Sequence, residues 1–231
     1  NTPITNDTNE KSLSKEVKIT PEKELQNPRV DAALEQTTCP TIEESNLDDS
    51  YYLGPLIDTH LHIASIPDSP LDEEVEDDGI TPSLGVNIKV ADLVCMLDHG
   101  DTNKAFVFFP VWEPIIQESI DVVNKTVLQY PNRFIPFIMP PDGDNDPGGY
   151  PTVDAEELSK MLSIQPGLFN GYGEIGLYER DGGARELPPD SKRLTEIYPV
   201  IQRNNLVVYF HLGEGHKDNF ERVLEQNLDI N

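Results

Sequence analysis

The chain has 231 residues, enough for one domain of ordinary size or for part of a larger one. Acidic residues outnumber basic ones 42 to 17, a formal net charge of -25, which argues against a nucleic-acid-binding face because phosphate contacts need clustered Lys and Arg. No apolar run approaches the length that crosses a bilayer, no signal peptide is visible, and the first residue is Asn1 rather than Met, as expected of a processed chain or one cut from a longer reading frame.

Residues 1–50 contain no aromatic residue and are rich in Asn, Thr, Glu, Lys and Pro. Such a segment buries too little surface to offset its ordering entropy, so it is expected to be a disordered acidic and polar N-terminal arm. Globular sequence is expected from Tyr51. Of the two cysteines, Cys39 falls in the arm and Cys95 lies among Leu93, Val94, Met96 and Leu97 on an apolar helix face. They do not read as a disulfide framework, and no C-x-x-C knuckle exists.

From residue 55 a strand–helix beat begins. Strands are expected over 55–62, 104–109, 134–139, 171–177 and 206–211, and helices over 88–99, 114–129, 154–163, 190–204 and 217–227. The helix over 114–129 shows Ile116, Ile120, Val123 and Val127 at amphipathic spacing, and Pro199 should kink the one over 190–204. Most of the strands are apolar throughout, as parallel strands covered on both faces are. The acidic run 72–78 reads as solvated surface. Asp142-Gly143-Asp144-Asn145-Asp146 starts like a calcium loop, but Pro147 takes the required Gly position and Val153 that of the bidentate Glu.

Alternating βα units indicate an α/β fold with a parallel sheet. No Gly-rich phosphate loop follows the first strand, so a dinucleotide-binding fold is unsupported, and a (β/α)8 TIM barrel is favoured over an open doubly wound sheet because the candidate ligands cluster at the carboxyl ends of strands. Five units fill about 180 residues, and eight at that rate need on the order of 290. The chain is thus expected to supply the first five βα units of a barrel. A small, complete five-stranded sheet is the other reading.

The residues able to do chemistry stand at strand ends. His60 and His62 are two apart at the end of the first strand, so they point the same way, with Asp58 on their face and Ile57, Leu61 and Ile63 on the apolar side. Glu174 lies in Gly173-Glu174-Ile175-Gly176-Leu177, and His211 ends the fifth strand. Imidazoles and a carboxylate suit one or two divalent metal ions: zinc, manganese or iron. Asp58 reads as a partner that orients a ligand. Glu214 and His216 follow the fifth strand, in a loop that either contacts substrate or is solvated.

Asp58-Thr59-His60-Leu61-His62, with a histidine ending the fifth strand, resembles the amidohydrolase superfamily of metal-dependent barrel hydrolases. Ala91-Asp92-Leu93 through Phe106-Val107-Phe108, and Tyr198-Pro199 before the strand ending in His211, look like its amidohydrolase-related branch, which includes decarboxylases and lactone hydrolases. Gly173-Glu174-Ile175-Gly176-Leu177 resembles the fourth-strand motif of TatD-like deoxyribonucleases. The resemblance implies that His60, His62 and His211 bind the metal, with Glu174 as a fourth or bridging ligand, and that a metal-activated water attacks a carbonyl-type centre of a small molecule. The family's sixth-strand histidine and its eighth-strand aspartate, which acts as general base, are expected beyond Asn231, so the fragment itself is expected to be inactive. Other readings are a TatD-like deoxyribonuclease, disfavoured by the net charge, a decarboxylase on the same scaffold, and a non-catalytic binding protein, secreted or tethered through its arm. Oligomeric state cannot be read.

Overall fold

The computed structural model describes residues 27–39, 54–62, 89–111, 113, 115–140, 149–179, 185–211 and 213–229. They form β1 (Leu56–His62), β2 (Thr102–Pro110), β3 (Phe134–Met139), β4 (Gly171–Gly176) and β5 (Val207–His211), with helices α1 (Pro28–Ala33), α2 (Val90–His99), α3 (Ile116–Gln129), α4 (Ala155–Ile164), α5 (Lys192–Arg203) and α6 (Lys217–Gln226). Side-chain caps open α1, α4 and α5. The Asp154 side chain accepts the Glu157 N–H to open α4, and Ser191 accepts from Leu194 to open α5. The α5 helix continues through Pro199. Among the described residues, no helix is long and apolar enough to cross a membrane.

All strand pairs are parallel and the sheet order is β1-β2-β3-β4-β5. A doubly wound sheet reverses its strand order at a switch point, so sequential order excludes it. The sheet is also curled. Five flat strands at about 4.8 Å spacing would hold their edges roughly 19 Å apart. Yet the ring centroid of His60, on β1, lies 5.5 Å from that of Tyr209, on β5. Sequential parallel strands, alternating helices and this curl are the architecture of a partial (β/α) barrel.

Curling gives the sheet two unlike faces. Along β2, Val107 and Phe109 turn outward and Phe106 and Phe108 inward, as strand alternation requires. The outer face joins Leu93 and Leu97 of α2, Ile120 and Val123 of α3, Met161 of α4 and Ile197 of α5 in one large core. The inner face is a separate aromatic cluster of Phe108, Phe137 and Met139, flanked by Phe106, Ile135 and Tyr209.

Three expectations are corrected. Residues 27–39 are not a disordered arm: Val30 is wholly buried, Ala33 nearly so, and α1 packs on α3. Val30 and Ala33 sit three apart, enough for one apolar stripe on a two-turn helix. Asn27 donates to Glu118, Lys125 pairs with Asp31, and Thr37 donates to Asp92. The rest of the expected arm, the 72–78 run and the 142–146 loop lie outside the described residues. The cysteines are not free either, because Cys39 and Cys95 form a disulfide with their Cα atoms 5.4 Å apart. Burial of α1 brings Cys39 to the α2 face, a closeness that sequence separation concealed. Finally, among the described residues Ile57 does not pack against helices. It is 56% exposed because β1 is an edge strand, whereas Leu61 does reach the outer core.

Candidate metal centre

The site begins with two departures from regular strand pairing. On β1 the register against β2 slips between Asp58 and Leu61. Asp58 Oδ1 accepts the His60 N–H at 2.9 Å across this slip, so Asp58 fixes the local backbone turn. Beyond it, the rings of His60 and His62 both settle on Phe108, with centroids at 5.3 and 5.6 Å. On β4 the register against β5 slips between Tyr172 and Ile175. Plain alternation would send Glu174 to the face of Tyr172, which is the outer core. The slip lets both Tyr172 and Ile175 face outward and returns Glu174 to the inner side.

Glycine makes this approach possible. Gly173 has φ +139°, and a Cβ there would lie 2.2 Å from the Tyr209 carbonyl oxygen. A Cβ on Gly171 would lie 2.0 Å from the Phe137 ring, which therefore occupies the space of the missing side chain. The aromatic inner layer and the Gly-rich strand are thus one packing solution.

Four expected side chains converge. Glu174 Oε2 lies 3.0 Å from His60 Nε2 and 3.4 Å from His62 Nε2, and those two nitrogens are 2.9 Å apart. Glu174 Oε1 lies 2.7 Å from His211 Nδ1. Tyr178 approaches the same nitrogen at 3.4 Å and packs edge-on against the His211 ring. Glu174 is 14% exposed, whereas His60, His62 and His211 are 41%, 36% and 51% exposed. The carboxylate is therefore the shielded member of the group and the imidazoles its open rim. The His62 hydrogen bond, aided by His60 and His211, holds the Glu174 carboxyl at a pKa of about 2 against the opposing effect of burial.

The donor set fits a divalent ion. His60, His62 and Glu174 offer three donor atoms within 4.8 Å of one another. Metal–ligand bonds of about 2.0–2.2 Å in tetrahedral geometry place donors roughly 3.3–3.6 Å apart. The separations of 2.9, 3.0 and 3.4 Å therefore need an outward adjustment of only a few tenths of an ångström. Two imidazole nitrogens and a carboxylate oxygen with converging lone pairs need a proton or a cation between them. His211 meets the other carboxylate oxygen and so stands outside this three-atom group.

Glu214 and His216 do not join the group. Glu214 is exposed on a turn. His216 is only 6% exposed and its Nε2 lies 3.2 Å from Glu186 Oε1. The turn at Gly215, with φ +85°, leads the chain into α6 and leaves His216 buried at its start. Phe108, Tyr178 and Tyr209 were not singled out from sequence. The run Phe106–Phe109 shows only a buried strand, and nothing in the sequence marks Tyr178 as a neighbour of His211.

No protein-family model matches the chain, and no curated protein matches it. Solved structures resemble it at low identity. One is described as a probable 2-pyrone-4,6-dicarboxylic acid hydrolase from Acinetobacter baumannii, with 16% identity over 77% of this chain and 55% of that one, at TM-score 0.45. Another is 2,6-dihydroxybenzoate decarboxylase from Rhizobium, with 15% identity over 74% and 54%, at TM-score 0.44. The chain spans about half the length of these structures. Likeness at this level transfers no activity.

Proposed function

We propose that these five βα units carry the metal-binding part of a metal-dependent hydrolase of the amidohydrolase superfamily, acting on a small molecule. The observation that carries this reading is the position of Glu174, whose two carboxylate oxygens meet His60 and His62 on one side and His211 on the other. Side chains from β1, β4 and β5 meet at the carboxyl ends of parallel strands, where barrels of this architecture place their chemistry.

His60, His62 and Glu174 would hold the ion, with zinc the first choice and manganese or iron next. When bound, such an ion supplies Lewis-acid polarisation and lowers the pKa of water to about 7. The chain's own residues do the rest. His211 Nδ1 orients Glu174 by holding Oε1, which leaves Oε2 aimed at the histidine pair. Phe108 and Tyr209 pack against the imidazoles and fix their ring positions. With a net charge of -25, a duplex nucleic acid is the poorer substrate.

The test is elemental analysis of the full-length protein, followed by dialysis against chelator and readdition of zinc. One or two ions per chain, lost in His60→Ala and His62→Ala, are expected. Protein that takes up no zinc, manganese or iron with both histidines intact would sink the proposal. Assays on lactones and amides, on aromatic carboxylic acids and on DNA then separate hydrolysis from decarboxylation and nuclease action.

A further inference from the structure

Outside the histidine group, one cluster gathers two positive charges with no counter-charge among the described residues. Tyr150 is flanked by two guanidiniums, with Arg193 Cζ 4.3 Å and Arg185 Cζ 5.7 Å from its ring centroid. Tyr150 follows β3, Arg185 follows β4, and Arg193 opens α5. Segments that follow strands in a βα sheet lie at its carboxyl end. His60, His62, Glu174 and His211 stand at the same end.

The cluster is braced from below. Arg185 donates its backbone N–H to Gly149 O at 3.2 Å, joining the two loops. Arg193 Nε donates to Thr152 O at 3.1 Å, and the Thr152 hydroxyl shares a 2.6 Å hydrogen bond with the buried Tyr172 hydroxyl. Burial pushes the Tyr172 phenol well above its ordinary pKa, so it stays protonated as part of this brace. Among the described residues, Arg193 commits only its Nε to a hydrogen bond.

Half of the described arginines meet a carboxylate and half do not. Arg29, Arg133 and Arg222 lie 3.6, 2.6 and 2.8 Å from Glu118, Asp98 and Asp190. Arg185, Arg193 and Arg203 have no carboxylate in ion-pair reach among the described residues, and of these Arg185 and Arg193 share one ring, although acidic residues outnumber basic ones 42 to 17. Two like charges on one ring repel each other, and a bound oxyanion would relieve that repulsion. A forked guanidinium matches carboxylate and phosphate oxygens in pairs. A strongly acidic protein repels anionic small molecules, so a local pair of cations is a way to admit one.

We propose that Tyr150, Arg185 and Arg193 form a recognition site for the oxyanion group, carboxylate or phosphate, of a small molecule. Taking that molecule as the substrate of the histidine–carboxylate site rests on the function proposed above. The anion site itself does not.

Isothermal titration of the metal-free full-length protein with succinate, and separately with inorganic phosphate, tests it. Arg185→Gln is expected to weaken binding about tenfold or more, the loss of a charge-assisted pair. Arg203→Gln, at the far end of α5, should leave binding unchanged. Arg193→Gln should match Arg185→Gln if it folds. The exposed Arg185 keeps the test decisive if it does not. Tighter succinate binding assigns a carboxylate ligand, and tighter phosphate binding a phosphate ester. The proposal fails if neither anion binds, if Arg185→Gln binds as tightly as the parent, or if His60→Ala rather than Arg185→Gln abolishes binding. Failure to retain metal would overturn the proposed function but leave this titration unaffected.

Discussion

The two faces of the sheet do different work. The outer face is lined by Val107, Phe109, Ile138, Tyr172 and Ile175 under helices α2 to α5, a wide layer of aliphatic and aromatic packing. The inner face holds three fully packed residues, Phe108, Phe137 and Met139, and above them the histidine–carboxylate group. Among the described residues, the outer side therefore carries most of the burial, and the inner side gathers the polar atoms. Functional groups on such a surface should be replaceable with little loss of stability, whereas outer residues should not.

The sharpest way to break this comparison is Ile138→Ala. Ile138 is wholly buried on the outer face, so its truncation should cost about 2–5 kcal/mol by urea denaturation. Metal stoichiometry should not change. A loss below about 1 kcal/mol would mean that the outer layer is not the stability core.

Next in size is the Cys39–Cys95 bond, whose partners are 56 residues apart and which ties the α1 segment to α2 on the outer side. Its reduction, or Cys39→Ser with Cys95→Ser, should lower stability by roughly 2–4 kcal/mol through the freed unfolded chain. Equal thermal midpoints with and without reductant would show that α1 docks unaided.

The inner face should respond less. Glu174 has its pKa lowered from 4.5 to about 2, so its ionised form favours the folded state. That contribution is complete above about pH 4.5 and is lost as the pH falls toward 2. In metal-free protein, Glu174→Gln should flatten this acid limb by on the order of 1 kcal/mol, since the partner histidines are about half exposed and screened. An unchanged difference between parent and variant from pH 5 to pH 2.5 would contradict it.

The smallest stability change should come from His60→Ala. The side chain is 41% exposed, so the loss should stay within about 0.5 kcal/mol while zinc is no longer retained through dialysis. A large destabilisation would make His60 a packing residue and erase the distinction between the faces.

Much of the fold was legible because it is periodic. Ile116, Ile120 and Val123 recur at helical spacing and lie on the buried side of α3. The apolar run 134–139 coincides with β3. The candidate ligands were legible in part because His60 and His62 share a face by strand parity. Parity misled at Ile57, because it gives a face but not whether another element covers that face. Parity would also have placed Glu174 with Tyr172, since a register slip leaves no mark on hydrophobic alternation. His216, close to His211 in the chain, went to Glu186 instead.

The amino-acid order alone thus determined the alternating strands and helices, the convergence of chemistry on strand ends and the two-residue spacing of His60 and His62. These are short-range matters, set by side-chain size and polarity within a few residues. Only the tertiary structure decided that Glu174 stands between three histidines, that Cys39 meets Cys95, that α1 belongs to the core and that two arginines share Tyr150. Each joins residues distant in sequence, and their meeting depends on how far the sheet curls and where its strands slip. Those quantities come from packing the whole sheet at once, so no local stretch of sequence carries them.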